Sequence, residues 1–129
     1  MGEIKTFLTP DAPQPAGHYS QAVVANGMIF VAGQLPIGPD RVQKPDATFE
    51  DQAAQAIANM LAILRAAGGD PGHLLKVTAY IVGIENWPRF NAVYAQLLPD
   101  AKPARTVVPV PELHHGYLVE IDAIGLVKS

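Results

Sequence analysis

The sequence predicts one α+β domain in which a mixed β-sheet is backed by two helices on one face. Several segments alternate apolar and polar residues, as half-buried strands do, and two longer segments repeat apolar residues at helical spacing. The order is β-β-α-β-α-β-β, with a short edge strand predicted before it at residues 4–8. With 129 residues, 49% of them hydrophobic, the chain is long enough for one core, so residues 1–129 are expected to form a single domain.

Residues 20–25 and 28–33 are predicted to form a β-hairpin. Asn26-Gly27 separates these apolar runs, and both residues tolerate the positive φ that a two-residue hairpin turn requires. Gly33, at the end of the second strand, has two interpretations. It lets the strand turn, or it lets a backbone N–H approach a ligand closely.

Two helices are predicted from their start signals and apolar faces. The first has Thr48 as N-cap in a segment that resembles a capping box, and it stops at Gly68-Gly69. The second begins near Trp87, with Pro88 in its first turn. The apolar faces are Phe49, Ala53, Ile57, Met60, Leu61 and Leu64 in the first helix, and Phe90, Val93, Tyr94, Leu97 and Leu98 in the second.

Two late strands carry the charged residues that point to a site. A strand is predicted at Leu74–Val82, and after the second helix residues 103–110 and 117–125 carry Arg105 and Glu120. If these last two strands pair directly, one register places both side chains on the same face, and a slip of one residue separates them. Neither the pairing nor the register follows from the sequence.

The Arg105–Glu120 pair suggests a small site for an organic acid with a hydrolytic step. Arginine offers a rigid fork of donors that suits a carboxylate. A glutamate on a half-buried strand face can have a raised pKa and can position or deprotonate a water. The alternative is a structural Arg–Glu ion pair at the sheet edge.

Composition and charge argue against several kinds of partner and site. A net charge of −3 argues against nucleic acid or an anionic membrane as the main partner. The absence of cysteine excludes disulfides, thiolate zinc sites and a cysteine nucleophile. No apolar run approaches the roughly 20 residues of a membrane span, and the first residues lack the build of a signal peptide, so a cytoplasmic location is expected. The sheet face without helices predicts cover by another subunit.

Five short motifs occur in order along nearly the whole chain. They are GHYSQA at 17–22, FVAGQLP at 30–36, FNAVY at 90–94, PART at 103–106 and VEIDAI at 119–124. Together they resemble the Rid family (YjgF/YER057c/UK114), the reactive intermediate enamine/imine deaminases. The resemblance implies a chorismate-mutase-like protomer and a homotrimer with a central β-barrel and sites between subunits. It also implies hydrolysis of 2-aminoacrylate-type enamines, through their imines, to 2-oxo acids and ammonia, with no metal or cofactor.

The resemblance also assigns roles to residues. Arg105 matches the carboxylate-binding arginine, and Glu120 matches the glutamate that orients the attacking water. Tyr19 matches a site tyrosine, although ring packing at a sheet edge is an alternative. Gly33 and Val107 match backbone contacts to the ligand, and Val107 stands where the family often has cysteine.

Asn91 and His18 are also predicted to bind the substrate, each with alternatives, and His114 and His115 are left without an assigned role. Asn91 follows Phe90, off the centre of the apolar face, where it is exposed to solvent, caps, contacts a neighbour or touches the site. His18 stands where many family members have proline, and His114-His115 replace a Pro-Lys or similar polar pair. Three alternatives remain for the histidines: they are exposed loop residues, they contact the substrate or transfer a proton, or they bind a metal. Adjacent histidines are expected to point in different directions, and no acidic partner has ligand spacing.

Three further functions remain open. His18-Tyr19 and a late-loop histidine also look like the 2-aminomuconate deaminase branch of the family, which acts on a larger unsaturated amino acid. A trimer that only binds small carboxylates would use the same Arg105. RNA cleavage, attributed to some members, is disfavoured by an acidic chain without a basic stripe.

Overall fold

A computed structural model describes residues 2–129 of the chain. It contains six strands and two α-helices, which are numbered in chain order. The strands are β1 (Lys5–Phe7), β2 (Ala22–Ala25), β3 (Met28–Gln34), β4 (Leu74–Val82), β5 (Ala104–Val110) and β6 (Val119–Leu126), and the helices are α1 (Phe49–Ala66) and α2 (Trp87–Leu97).

All six strands form one mixed sheet in the order β1-β2-β3-β6-β4-β5. Neighbouring strands are antiparallel except β4 and β5, which are parallel and are joined through α2. The predicted hairpin is confirmed: Ala25 pairs with Met28, and Asn26 and Gly27 take the positive φ angles of 53° and 77°. The predicted mixed sheet is therefore confirmed, together with its short N-terminal edge strand.

Both helices cover the same face of the sheet. Helix α1 begins as predicted, because the Thr48 hydroxyl accepts a hydrogen bond of 3.1 Å from the backbone N–H of Asp51. Alternate residues of the central strands turn towards the helices and are almost completely buried. They are Ile29, Val31, Val77, Ala79, Ile81, Val119, Ile121 and Ala123. Burying such side chains stabilises the fold by about 1.5–3 kcal/mol each for the larger ones.

The last two strands do not pair with each other, because β4 lies between β5 and β6. Arg105 pairs with Val77, whose side chain is buried under the helices, and Glu120 pairs with Tyr80 on the opposite face. Of the two arrangements that the sequence left open, the structure therefore has the one in which Arg105 and Glu120 lie on opposite faces within a protomer. The strands β5 and β6 are not neighbours because the crossover through α2 pairs β5 with β4 in parallel, and β6 pairs with the other side of β4.

The sheet face opposite the helices is open to solvent in the protomer. It carries both apolar and charged side chains, including Phe30, which is 42% exposed and pairs with Ile124, and the carboxylates of Glu120 and Asp122. We call it the open face. Separately, neither helix within residues 2–129 has the length and apolar character needed to cross a membrane.

Candidate active site

The first part of the candidate site is a pocket of about 350 Å³. We call it the Glu120 pocket. Glu120 reaches it from β6, Gly33 from β3, Tyr19 from the segment before β2, and His114 from the connection between β5 and β6. The remaining lining comes from Pro13, Gln14, Ala32, Gln34, Leu35 and Ile37. The fold thus brings together three of the predicted residues and one of the unassigned histidines.

The Glu120 carboxylate is half-buried, and burial raises its pKa above that of an ordinary glutamate. The nearby charge of Asp122 raises this pKa further, and His114 opposes the shift. Within residues 2–129 no hydrogen bond or ion pair to the Glu120 side chain is present. A carboxylate with a raised pKa is a stronger base than usual, and one without a hydrogen-bond partner in the protomer can bind a water molecule.

Gly33 makes room for that carboxylate. A Cβ built at this position would lie 2.7 Å from Oε2 of Glu120, closer than two such atoms can approach. The strand β3 continues through Gly33 to Gln34, and its register against β6 shifts between Val31 and Gln34. Of the two interpretations, close approach fits the structure, although in the protomer the approaching group is Glu120 rather than a ligand.

The second part of the candidate site surrounds Arg105. One guanidinium N–H₂ group of Arg105 donates a hydrogen bond of 3.0 Å to the side-chain oxygen of Asn91. The guanidinium carbon lies 4.9 Å from the ring centre of Tyr94 and 5.9 Å from that of Phe90, within the range of cation–π interactions. We call these four residues the Arg105 cradle. It holds the arginine fork in one place against helix α2.

Arg105 has no ion pair with any carboxylate in the described part of the chain. The salt bridges there join other residues, such as Arg89 with Glu50. The alternative of a structural Arg105–Glu120 ion pair is therefore wrong within the protomer, because the two side chains lie on opposite faces of the sheet. Each of the two charges is left without the partner that the sequence suggested.

The other predicted residues lie beside Arg105, in the Glu120 pocket or outside both parts of the site. Asn91 is exposed yet contacts Arg105, and Val107 is buried on the same face of β5 as Arg105. Tyr19 is 52% exposed in the protomer and lines the Glu120 pocket. His18 is exposed and is not part of the pocket lining.

Sequence reasoning missed the role of Tyr94, which it assigned only to the apolar face of α2. The available signal was spacing: Tyr94 lies three residues after Asn91, so both side chains come from one side of the helix. Tyr94 is 7% exposed, and its hydroxyl is buried without a hydrogen-bond partner among residues 2–129.

The two adjacent histidines stack on each other, with ring centres 3.8 Å apart and an angle of 22° between the planes. The expectation that they point in different directions is wrong, because His115 adopts a left-handed backbone conformation with φ of 63°. Only His114 lines the Glu120 pocket. Within residues 2–129 no three His, Asp or Glu side chains are grouped so as to hold a metal ion.

The chain is similar in sequence and in fold to known proteins. A RutC family protein of Pyrococcus horikoshii is 39% identical over 94% of this chain and 96% of its own length. The Rid family protein YyfA of Yersinia pestis has a TM-score of 0.92 at 36% identity, covering 97% of this chain and all of that one. Escherichia coli TdcF, crystallised with bound serine, has a TM-score of 0.91 at 34% identity, covering 96% of this chain and 99% of that one.

The family model described as endoribonuclease L-PSP matches residues 9–127, which is nearly the whole chain. The match includes both the Glu120 pocket and the Arg105 cradle. The chain therefore belongs to the endoribonuclease L-PSP family, the family of the Rid and YjgF proteins.

Proposed function

We propose that this protein hydrolyses reactive enamine/imine intermediates of the 2-aminoacrylate type to 2-oxo acids and ammonia, in sites that lie between the subunits of a homotrimer. The observation that carries the proposal is the separation of the two parts of the site. Arg105 is a fixed cation without a carboxylate, and Glu120 is a half-buried carboxylate without a cation, on opposite faces of one sheet.

A second copy of the chain supplies the missing half of each site. Strand β5 is at the edge of the sheet, and the Glu120 pocket opens beside the uncovered open face. Docking the β5 edge of one protomer against the open face of the next would bring Arg105 towards the neighbouring Glu120. Repeating this contact around a threefold axis closes a ring with three equivalent sites and buries apolar residues such as Phe30.

The chemistry needs few groups, because a protonated imine is already electrophilic. Arg105 would hold the substrate carboxylate by two parallel hydrogen bonds, with its fork kept in place by Asn91 and Tyr94. Glu120 would take a proton from a water whose oxygen bonds to the imine carbon. The resulting carbinolamine would break its C–N bond, releasing ammonia and leaving the carbonyl of the 2-oxo acid.

Two features support a small amino-acid-like substrate. TdcF was crystallised with serine, which shares a three-carbon skeleton and a carboxylate with 2-aminoacrylate. The Glu120 pocket, at about 350 Å³, is near the lower end of the range for small-molecule sites. A larger 2-aminomuconate-type substrate carries a second carboxylate. Among the described residues that line this pocket there is no lysine or arginine, so His114 would be the one side chain able to bind that carboxylate as a cation.

The direct experiment generates 2-aminoacrylate in situ with a separate enzyme and follows the release of ammonia and the 2-oxo acid. We expect the protein to accelerate the release over buffer by at least about 10²-fold, the lower range of general-base catalysis. A rate equal to that of buffer would reject this substrate class. If the protein binds a 2-oxo acid at Arg105 but accelerates nothing, the carboxylate-binding trimer is correct instead.

RNA cleavage, which the family description names, is not favoured by the charges of this chain. The chain is net acidic at −3, and its open face carries the two carboxylates of Glu120 and Asp122. RNA binding depends on clustered lysines and arginines that neutralise phosphates.

Tyr94 supplies a test of the Arg105 cradle. Tyr94→Phe keeps the ring beside the guanidinium and removes only a hydroxyl without a partner, so KM and stability should change little. Tyr94→Leu removes the cation–π contact and should raise KM by about twofold to thirtyfold, since such contacts contribute about 0.5–2 kcal/mol. Steady-state kinetics of both variants provides the measurement, and an equal KM for the two would show that the ring does not position Arg105.

Gly33→Ala tests the space reserved for Glu120. The added Cβ must displace the carboxylate, so kcat should fall by at least about tenfold while the fold is retained, because the displaced group is the end of a flexible side chain. Gly72→Ala is the matched control, since its Cβ would meet only Asp70 at an ordinary 3.6 Å. Equal kcat values for the two variants, measured beside circular dichroism, would contradict the proposed role of Gly33.

A further inference from the structure

We infer that His114 is a second catalytic group, the general acid that protonates the departing nitrogen while Glu120 acts on the water. The inference rests on the proposed deaminase function and deepens it. Hydrolysis of an imine requires a base at the water and also an acid at the nitrogen, because an amide ion cannot leave. The proposed mechanism so far supplies only the base.

The position of His114 fits this second role. It lines the same pocket as Glu120 and Tyr19, but it comes from a different element, the connection between β5 and β6. Burial and the charge of Asp122 raise the pKa of Glu120, and the charge of His114 lowers it by a smaller amount. A base and an acid that approach one small cavity from two elements can serve two different atoms of one substrate.

His114 and His115 are both exposed, as expected of loop histidines, but their rings have aromatic contacts. The ring of His115 stacks on that of His114 at 3.8 Å, and His115 in turn meets the ring of Tyr117 edge-on at 6.4 Å. Tyr117 is buried, and its hydroxyl accepts a hydrogen bond of 3.0 Å from the backbone N–H of Lys44. His115 itself has a left-handed backbone conformation, with φ of 63°. This series of contacts links the imidazole of His114 to the protein core.

The proton balance of the reaction is complete with these two groups. Water oxygen bonds to the imine carbon, and one water proton passes to Glu120 as the C=N bond becomes a C–N single bond. His114, in its imidazolium form, gives a proton to the nitrogen, and the C–N bond breaks to release ammonia. The hydroxyl proton leaves as the C=O bond forms and returns the imidazole to its charged form, and Glu120 loses its proton to solvent.

His114→Ala is the test variant, with His73→Gln as a control histidine outside the pocket. We expect His114→Ala to lower kcat by about 10²-fold, the lower range for a general acid, with KM changed less than about twofold because Arg105 holds the carboxylate. Added imidazole should restore kcat of His114→Ala by at least about tenfold, and it should not accelerate the wild-type protein or the buffer reaction in the same way.

The outcomes separate this inference from the proposed function. An inactive wild-type protein would reject the deaminase function itself. An active wild-type protein with an equally active His114→Ala variant would overturn the role of His114 and leave the deaminase function intact. A slow His114→Ala variant that imidazole does not rescue would also overturn it, because a purely structural histidine gives that result.

Discussion

Arg105→Ala is expected to lower kcat/KM for a 2-aminoacrylate-derived imine by about 10²–10⁴-fold. Two hydrogen bonds to the substrate carboxylate are lost, and each hydrogen bond to a charged group contributes about 1.5–3 kcal/mol. A difference of 1.4 kcal/mol corresponds to about tenfold in a rate or binding constant. The measurement is ammonia release at several substrate concentrations, and most of the loss should appear in KM.

Two further variants identify the reason for that loss. Arg105→Lys keeps the positive charge but loses the planar fork, so it should still be impaired by at least about tenfold. Arg65→Ala removes an exposed arginine at the far end of α1 and should leave kcat/KM unchanged. An Arg105→Ala variant with wild-type kcat/KM would remove the carboxylate clamp from the mechanism.

Glu120→Gln is expected to have the second large effect, a fall in kcat of about 10²–10⁴-fold with little change in KM. Glutamine fills the same space beside Gly33, but it cannot accept a proton from water. Only deprotonated Glu120 is a base, and burial raises its pKa, so wild-type activity should fall with decreasing pH already above the usual titration range of glutamate. This acidic limb of the pH profile should be absent from the residual activity of Glu120→Gln.

Asp122→Asn is the matched control for Glu120. Asp122 lies on the same face of β6, outside the pocket lining, and its carboxylate accepts a hydrogen bond of 3.3 Å from the Tyr80 hydroxyl. Its charge raises the pKa of Glu120, so the variant should keep kcat and shift the acidic limb to lower pH. An acidic limb that survives unchanged in Glu120→Gln would show that another group is the base.

The local elements were predictable because their signals lie within a few residues of one another. Asn26-Gly27 can form a two-residue turn by its own backbone preferences, and Thr48 caps α1 through a bond to a residue three positions later. Alternation correctly gave the buried face in the middle of β4 and β6, from Val77 to Ile81 and from Val119 to Ala123, but it failed at Leu75, which is 40% exposed.

The order of the strands was not predictable in the same way, since it depends on contacts between distant parts of the chain. Neighbours in sequence suggested a β5–β6 pair, whereas the crossover through α2 gave a β4–β5 pair. One local signal was available: Pro109 lies within β5, and proline, which has no N–H to donate, is found mainly in edge strands. That edge position leaves β4 between β5 and β6, and the register of each strand with β4 then places Arg105 and Glu120 on opposite faces.

The residues of the site were only partly predictable for a related reason. Arg105 and Glu120 stand out as charges in apolar strands, but their contacts are set by the fold. Tyr94 was assigned to the core because an apolar helix face does not reveal which cation will lie against it. His114 was left unassigned because its direction depends on the unusual backbone of His115.

Mixing two inactive variants tests most directly whether the site is shared between protomers. Arg105→Ala and Glu120→Gln proteins would be unfolded together, refolded as a mixture and assayed beside each variant refolded alone. If each site takes Arg105 from one subunit and Glu120 from the next, random assembly restores about one quarter of the sites, and activity should recover to about that share of wild type. A mixture no more active than its separate components, in oligomers shown by mass to contain both variants, would contradict a shared site.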